Sequence, residues 1–284
     1  MSGNASESVD FEASAPSRVM SFNVRYDTDS DGEHAWPERK EMVASVLRFH
    51  KPDLVGLQEP LKHQLDYIDG QTPGIEWVGV GRADGDTKGE HVPIGYRPSR
   101  FELLDTSTFW LSESPTVAGS VGWNAARPRI VTWAKLRDTE SQTRFYLFNT
   151  HLDHRGDTAR VESARLLRRR ASDIAGSDPV VVTGDLNCTK SDGPYRELTA
   201  EEQSGWQLFD AKRESENGHY GPTVTFDAFE GEPDAKIDYV FATDDVSVYQ
   251  HGIVRERWDD RPPSDHFPVL ADVCFEGSRE RSAY

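Results

Sequence analysis

Cysteine is nearly absent from this 284-residue chain, which holds only Cys188 and Cys274. Two cysteines cannot form a disulfide framework, and the paucity of Cys/His pairs argues against a structural zinc site. The count fits a reducing compartment, so a cytoplasmic location is expected. Long apolar runs are missing too. No stretch approaches 18 uncharged apolar residues, which leaves no membrane span. The opening MSGNASESVDFEASAPS has neither the basic start nor the apolar run of a secretory signal. Walker-type glycine loops and G-x-S-x-G elbows are absent. Lysine is scarce: the 32 basic residues comprise 24 Arg and 8 Lys, against 49 acids, for a net charge of −17. Such a chain is a poor general binder of nucleic acid, and its acid excess resembles that of halophilic proteins kept soluble in high salt. The basic cluster Arg165, Arg168, Arg169 and Arg170 reads as the solvated face of a helix.

What the chain does have is material for a core: 36% hydrophobic residues and 10% aromatics, seven of them Trp. Turn signals and apolar runs alternate without repeat or linker, so residues 18–276 read as one domain between an acidic, disordered tail (1–17) and a short C-terminal tail (277–284). Strands are expected at Arg18–Tyr26, Asp53–Glu59, Trp77–Gly81, Pro93–Tyr96, Phe101–Trp110, Ile130–Leu136, Thr143–His151, Pro179–Asp185, Lys236–Ala242 and His266–Phe275. Helices are expected at Pro37–His50, with proline at a first helical position, at Leu61–Asp69 and at Thr158–Ala175. The Gly-rich segment 81–90 reads as a mobile loop near a site mouth. Periodicity favours a layered α/β fold of mostly antiparallel sheet.

The chemistry sits at strand ends. Burying Asp, Glu or His without partners costs several kcal/mol, so polar residues ending apolar strands suggest convergence on one site. In VVVTGDLN, a period of two puts Asp185 and Asn187 on one side, a carboxylate and an amide oxygen suited to Mg²⁺; an Asx turn is the rival reading. Glu59 ends DLVGLQE and Asn23 lies in an apolar strand; either could add oxygen ligands, or be a solvated cap and a core amide. Asp265 and His266 form SDH, and Asp238 lies in KIDYV, the arrangement that fixes an imidazole's tautomer. His151 ends a strand in NTHLDH, where its N–H could donate to a phosphoryl oxygen. The spacing of His151 and His154 is weak evidence for zinc. Trp110, Trp123 and Trp133 could stack bases, though core packing explains them as well. Cys188 lies near the proposed site, or is simply a small buried residue.

These motifs, in order, are SFNVRY (21–26), GLQE (56–59), NTHLDH (149–154), GDLN (184–187), IDYVF (237–241) and SDHFPV (264–269). Together they resemble the endonuclease/exonuclease/phosphatase superfamily of DNase I-like fold. STFWLSESP and GWNAARPRIVTWAKL are similar to a prokaryotic branch near the deadenylase and nocturnin-like enzymes. The resemblance implies a four-layer α/β sandwich, two packed, mostly antiparallel sheets flanked by helices. It implies a metal-dependent phosphoric ester hydrolase, phosphodiesterase or phosphatase, with Asn23, Glu59 and Asp265 holding Mg²⁺ or Mn²⁺. Asp185 and Asn187 would bind a second ion or orient the attacking water and the phosphate. His266, paired with Asp238, would act on the water or polarise the phosphoryl group, and His151 would stabilise its oxygens. Arg155 matches a phosphate-contacting arginine of the deadenylase-like branch. The substrate would be a phosphorylated small molecule or nucleic acid. The alternatives are a nuclease acting on single strands and an inert phospho-ligand-binding protein. No protein partner is expected, and the chain reads as a monomer.

Overall fold

A computed structural model describes residues 15–230 and 235–275. In chain order come β1 (Ser17–Asn23), a 3-10 helix (Asp29–His34), α1 (Trp36–His50), β2 (Leu54–Gln58), α2 (Lys62–Gln71), β3 (Glu76–Val78), β4 (Ile94–Tyr96), β5 (Phe101–Trp110), β6 (Ile130–Asp138) and β7 (Arg144–His151). Then follow α3 (Asp157–Ala175), β8 (Val180–Asp185), α4 (Gly193–Leu198), β9 (Phe209–Asp210), α5 (Ala211–Glu214), β10 (His219–Tyr220), β11 (Asp238–Ala242), β12 (Val246–Ile253) and β13 (Val269–Phe275).

One sheet has the order β10-β12-β13-β1-β2-β4-β3, the other β5-β6-β7-β8-β11-β9. Antiparallel pairs dominate both, but each has a parallel pair in its middle: β1 with β2, and β7 with β8. Parallel neighbours need a crossover, supplied by α1 in the first case and α3 in the second. Both crossover helices are amphipathic: α1 buries Val43, Val46 and Leu47, and α3 buries Ala164, Leu167 and Ala171.

Three apolar clusters define four layers. Met20, Phe22, Val55 and Leu57 pack under α1 and α2. Phe148, Val180, Val182 and Phe241 pack under α3 and α4. Between the sheets, Val19 and Leu54 of one meet Leu147, Val181 and Val240 of the other. Each fully buried side chain of this kind is worth about 1.5–3 kcal/mol.

The expected elements are found, with adjustments at their ends. Ser17 is a buried residue of β1, so the first tail stops short of it. Residues 1–14 of the first tail and the whole second tail, 277–284, fall outside the described residues. β1 ends at Asn23 because Arg25 turns the chain with φ of +57°. The last strand starts at Val269 rather than His266, since Pro268 has no N–H to pair. β12 was not expected: a bulge between Val248 and Gln250 breaks its alternation, so VSVYQHGI shows no clean period of two. The 81–90 segment, expected to be mobile, is tied internally: Arg82 and Ala83 N–H groups donate to Glu90 and Lys88 carbonyls, and Asp84 accepts from Asp86 and Lys88 N–H.

Candidate active site

Strand alternation decides what faces the gap between the sheets. Because Val19, Leu54, Leu147, Val181 and Val240 face it, so do Asn23, Gln58, His151, Asp185 and Asp238, at even spacings along the same strands. Parallel pairing brings Asn23 beside Gln58 and His151 beside Asp185, and antiparallel pairing sets Asp238 beside Asp185. The inter-sheet face is therefore apolar at one end and polar at the other.

A buried polar layer supports that end. Asn149 donates to the Leu57 and Pro93 carbonyls (2.6 and 2.9 Å) and accepts from Gln58 Nε2 and Thr183 Oγ1 (2.7 and 3.1 Å). Only glycine fits at residue 56: a Cβ there would stand 2.0 Å from Thr183 Oγ1 and 2.6 Å from Asn149 Oδ1.

Above this layer, Asn23 Nδ2 donates to Glu59 Oε1 (3.0 Å) and Asp185 Oδ2 (2.9 Å), while its Oδ1 accepts the Arg25 N–H (3.0 Å). In this orientation Asn23 gives the carboxylates a donor, and its oxygen is engaged by the Arg25 N–H. Glu59 holds a φ of +74°, rare for a residue with a side chain, and its Oε2 accepts the Tyr26 N–H (2.9 Å). Burial opposes the Glu59 charge, but His266, Asn23, the Tyr26 N–H and Arg25 outweigh it and hold the carboxyl below its usual range. Asp265 has the opposite balance: burial, reinforced by Glu59, raises it. Asp185 is pushed up to about 7 by burial and by Asp238.

His266 Nδ1 donates to Asp238 Oδ2 (2.9 Å), and its Nε2 stands 3.8 Å from Asp185 Oδ2. Burial works against the imidazolium, but Asp238 and Asp185 raise it well above the usual histidine range. Ser264 Oγ donates to the Asn23 carbonyl (2.7 Å) and so ties the SDH turn to β1. His151 is the neutral counterpart. Burial, Arg129 and Arg82 hold it well below its usual range. Asn187 Nδ2 donates to the Leu152 carbonyl (3.0 Å) and to His151 Nε2 (2.9 Å), which leaves the imidazole proton on Nδ1, buried and without a hydrogen-bond partner among the described residues.

A cleft of about 950 Å³ opens over these groups. Glu59, His151, Arg155, Asp185, Asn187, Asp265 and His266 line it; Asn23 and Asp238 lie fully buried beneath. All nine residues expected from the sequence thus gather here. Ligand-type atoms of Glu59, His151 and Asp185 lie within 4.8 Å of one another, as do those of Asp185, Asp238 and His266. Glu59, Asp185, Asp238 and Asp265 are four buried carboxylates, an oxygen-rich excess of negative charge that fits a hard divalent cation.

Apart from Arg155, the wall beside this floor was not anticipated. Arg82, Arg127 and Arg129 line it, joined by Arg155 and His154. The rest of HLDH beyond His151 supports this wall: Asp153 accepts from the Ala126, Arg155 and Gly156 N–H groups, and His154 Nδ1 accepts from Arg129. None of the three tryptophans lines the cleft; Trp110 is buried and donates to the Arg82 carbonyl (2.8 Å). Cys188 is buried, its thiol pushed up to about 12 by burial, and it too stays out of the cleft lining.

Two mixed sheets flanked by helices, with an acid-and-imidazole site at the polar end of their shared gap, define a DNase I-like α/β protein. Residues 20–266 match the Endonuclease/Exonuclease/phosphatase family, and the chain belongs to it. Members of that family are typically hydrolases of phosphoesters and usually use divalent metals. An endonuclease/exonuclease/phosphatase from Bacteroides vulgatus is 38% identical, with a TM-score of 0.88 over 93% of this chain and 100% of that one. A mannosyl-6-phosphatase from Bacteroides thetaiotaomicron is 32% identical, with a TM-score of 0.82 over 91% and 100%. The human nocturnin catalytic domain, at 20% identity and a TM-score of 0.71 over 92% and 94%, shares the fold. The chain spans 25–66% of the length of the curated sequence relatives it matches. No helix among the described residues is long and apolar enough to cross a membrane.

Proposed function

We propose that this chain is a divalent-metal-dependent phosphatase acting on a small phosphorylated molecule. One observation carries the reading: four buried carboxylates and the His266–Asp238 pair meet one neutral histidine at the floor of an arginine-walled cleft. Glu59 and Asp265 are the oxygen donors assigned to Mg²⁺ or Mn²⁺, with Asn23 holding the Glu59 carboxylate in place. When bound, such an ion supplies positive charge that lowers the pKa of water and stabilises phosphoryl oxygens.

The chain's own groups account for the rest. Asp185, raised to about 7, is a poised acceptor for the proton of the attacking water, and Asn187 aligns it through its N–H to Asp185 Oδ1 (2.8 Å). The water oxygen forms a bond to phosphorus as the ester P–O bond breaks in line, and the ester oxygen leaves as the alcohol after taking a proton from solvent, while Asp185 later returns its own to solvent. Charge builds on the phosphoryl oxygens. His266, held as imidazolium, and His151, with its proton on Nδ1, donate to them. The mannosyl-6-phosphatase likeness supports a monoester, and so does a cleft whose aromatic lining among the described residues is Tyr26 and Phe226, too little for a run of stacked bases.

A panel of sugar phosphates, nucleotides, inositol phosphates, phospholipids and oligonucleotides, with Mg²⁺ or Mn²⁺ across salt concentrations, tests this. Release of inorganic phosphate from small esters, lost with a chelator, is expected. Cleavage of single-stranded oligonucleotides with small esters left intact would make the chain a nuclease instead.

A further inference from the structure

The arginine wall exceeds what one phosphate needs. We infer that the substrate carries a second oxyanion, a phosphate or carboxylate apart from the scissile phosphate, and that Arg129, Arg82 and Arg127 receive it. The inference rests on the phosphate-ester reading above.

Arg129 is 4% exposed. Its Nε donates to Asp153 (3.4 Å) and its Nη2 to His154 (2.9 Å), but its Nη1 is buried with no partner among the described residues. A charged donor left unpaired in a buried place is destabilising, and such a group persists where a ligand supplies the acceptor. Arg82 is largely buried and spends one arm on Glu90 (2.6 Å). Burial lowers its pKa, Glu90 offsets this, and Arg129 and Arg127 lower it further, so the three guanidinium groups repel one another. This gathering is unusual in a chain of net charge −17. The floor already serves the scissile group through His151, His266, Asn187 and the assigned ion. A cleft of about 950 Å³ also holds far more than one phosphate. An oxyanion is the ligand a guanidinium fork fits, since it accepts two parallel hydrogen bonds.

Matched pairs test the inference: fructose 6-phosphate against fructose 1,6-bisphosphate, adenosine 3′-phosphate against adenosine 3′,5′-bisphosphate, and glycerol 3-phosphate against 3-phosphoglycerate. At least one doubly anionic partner should show a kcat/KM roughly 10–100-fold above its mate, the range of a charge-assisted hydrogen bond. Arg129→Lys and the exposed Arg127→Gln should shrink that ratio several-fold, mainly through KM, with Arg127→Gln informative even if Arg129 variants fold poorly. Equal kcat/KM within every pair would overturn the inference and leave the phosphatase reading standing, as would variants that slow both members of a pair equally. Failure to release phosphate from any member would overturn both.

Discussion

The floor and the wall of the cleft are built by different means. The floor stands on strand ends: Asn23, His151, Asp185 and Asp238 are positioned by register and parity, with Glu59 one residue beyond β2. The wall stands on loops: Arg82 follows β3, Arg127 and Arg129 precede β6, and His154 and Arg155 lead into α3. Loops are held by individual hydrogen bonds, here those of Asp153 and Glu90, rather than by a ladder. A rigid floor suits one fixed chemistry, whereas a loop-built wall is where substrate choice can change without disturbing it.

The same contrast explains what the sequence revealed. Floor residues announce themselves as polar breaks in period-two apolar runs, and VVVTGDLN and TRFYLFNTH carry that signal plainly. Their convergence follows once two parallel pairs share a gap. Arg82, Arg127 and Arg129 have no such frame, because loop spacing says nothing of which side chains meet. Arg129 lies within GWNAARPRIVTWAKL, noted for family likeness alone, and its unpaired Nη1 is a tertiary fact. The orientation of Asn23 was likewise hidden, since only the Arg25 N–H fixes which end of its amide faces the carboxylates.

The sharpest test of a fixed floor is to remove its members. Asp185→Ala and His266→Ala should each cut kcat by roughly 10²–10³ on every substrate, because each removes a preorganised group acting on the reacting atoms. Tm should change little with Asp185→Ala, which relieves a buried charge crowded by Asp238. Near-full turnover by either variant, measured under saturating Mg²⁺ or Mn²⁺, would end the role assignment. Asp238→Asn is a milder blow, expected to cost about 10–100-fold. It keeps the shape beside His266 Nδ1 but removes the charge that holds the imidazolium. If Asp238→Asn slowed only some substrates, the floor would not be the uniform element described here.

The floor's support can be stressed without touching its chemistry. Gly56→Ala forces a methyl against Thr183 Oγ1 and Asn149 Oδ1. Overpacking of this kind costs about 1–3 kcal/mol. For a chain of this size that lowers Tm by roughly 2–12 °C. Thermal unfolding of the variant checks it, and an unchanged Tm would mean the layer yields more readily than its hydrogen bonds suggest.

The smallest effect expected is none, and it is what separates the wall from arginine in general. Helix α3 carries Arg165 and Arg168, the cluster that reads from the sequence as a basic face. Arg165 pairs with Glu162 and Glu197 at the surface, and the more buried Arg168 with Glu202, so both charges are met by acids. Surface pairs of this sort are worth about 0–1 kcal/mol. Arg165→Gln should therefore leave kcat/KM on every member of the matched pairs within twofold of the parent, at low and high salt alike. Were Arg165→Gln to weaken one substrate, and to do so most at low salt, long-range attraction by the whole surface would be guiding the ligand. The wall would then lose its claim to be a local subsite, because Arg82, Arg127 and Arg129 would be part of a broad field rather than the place where a second anion binds.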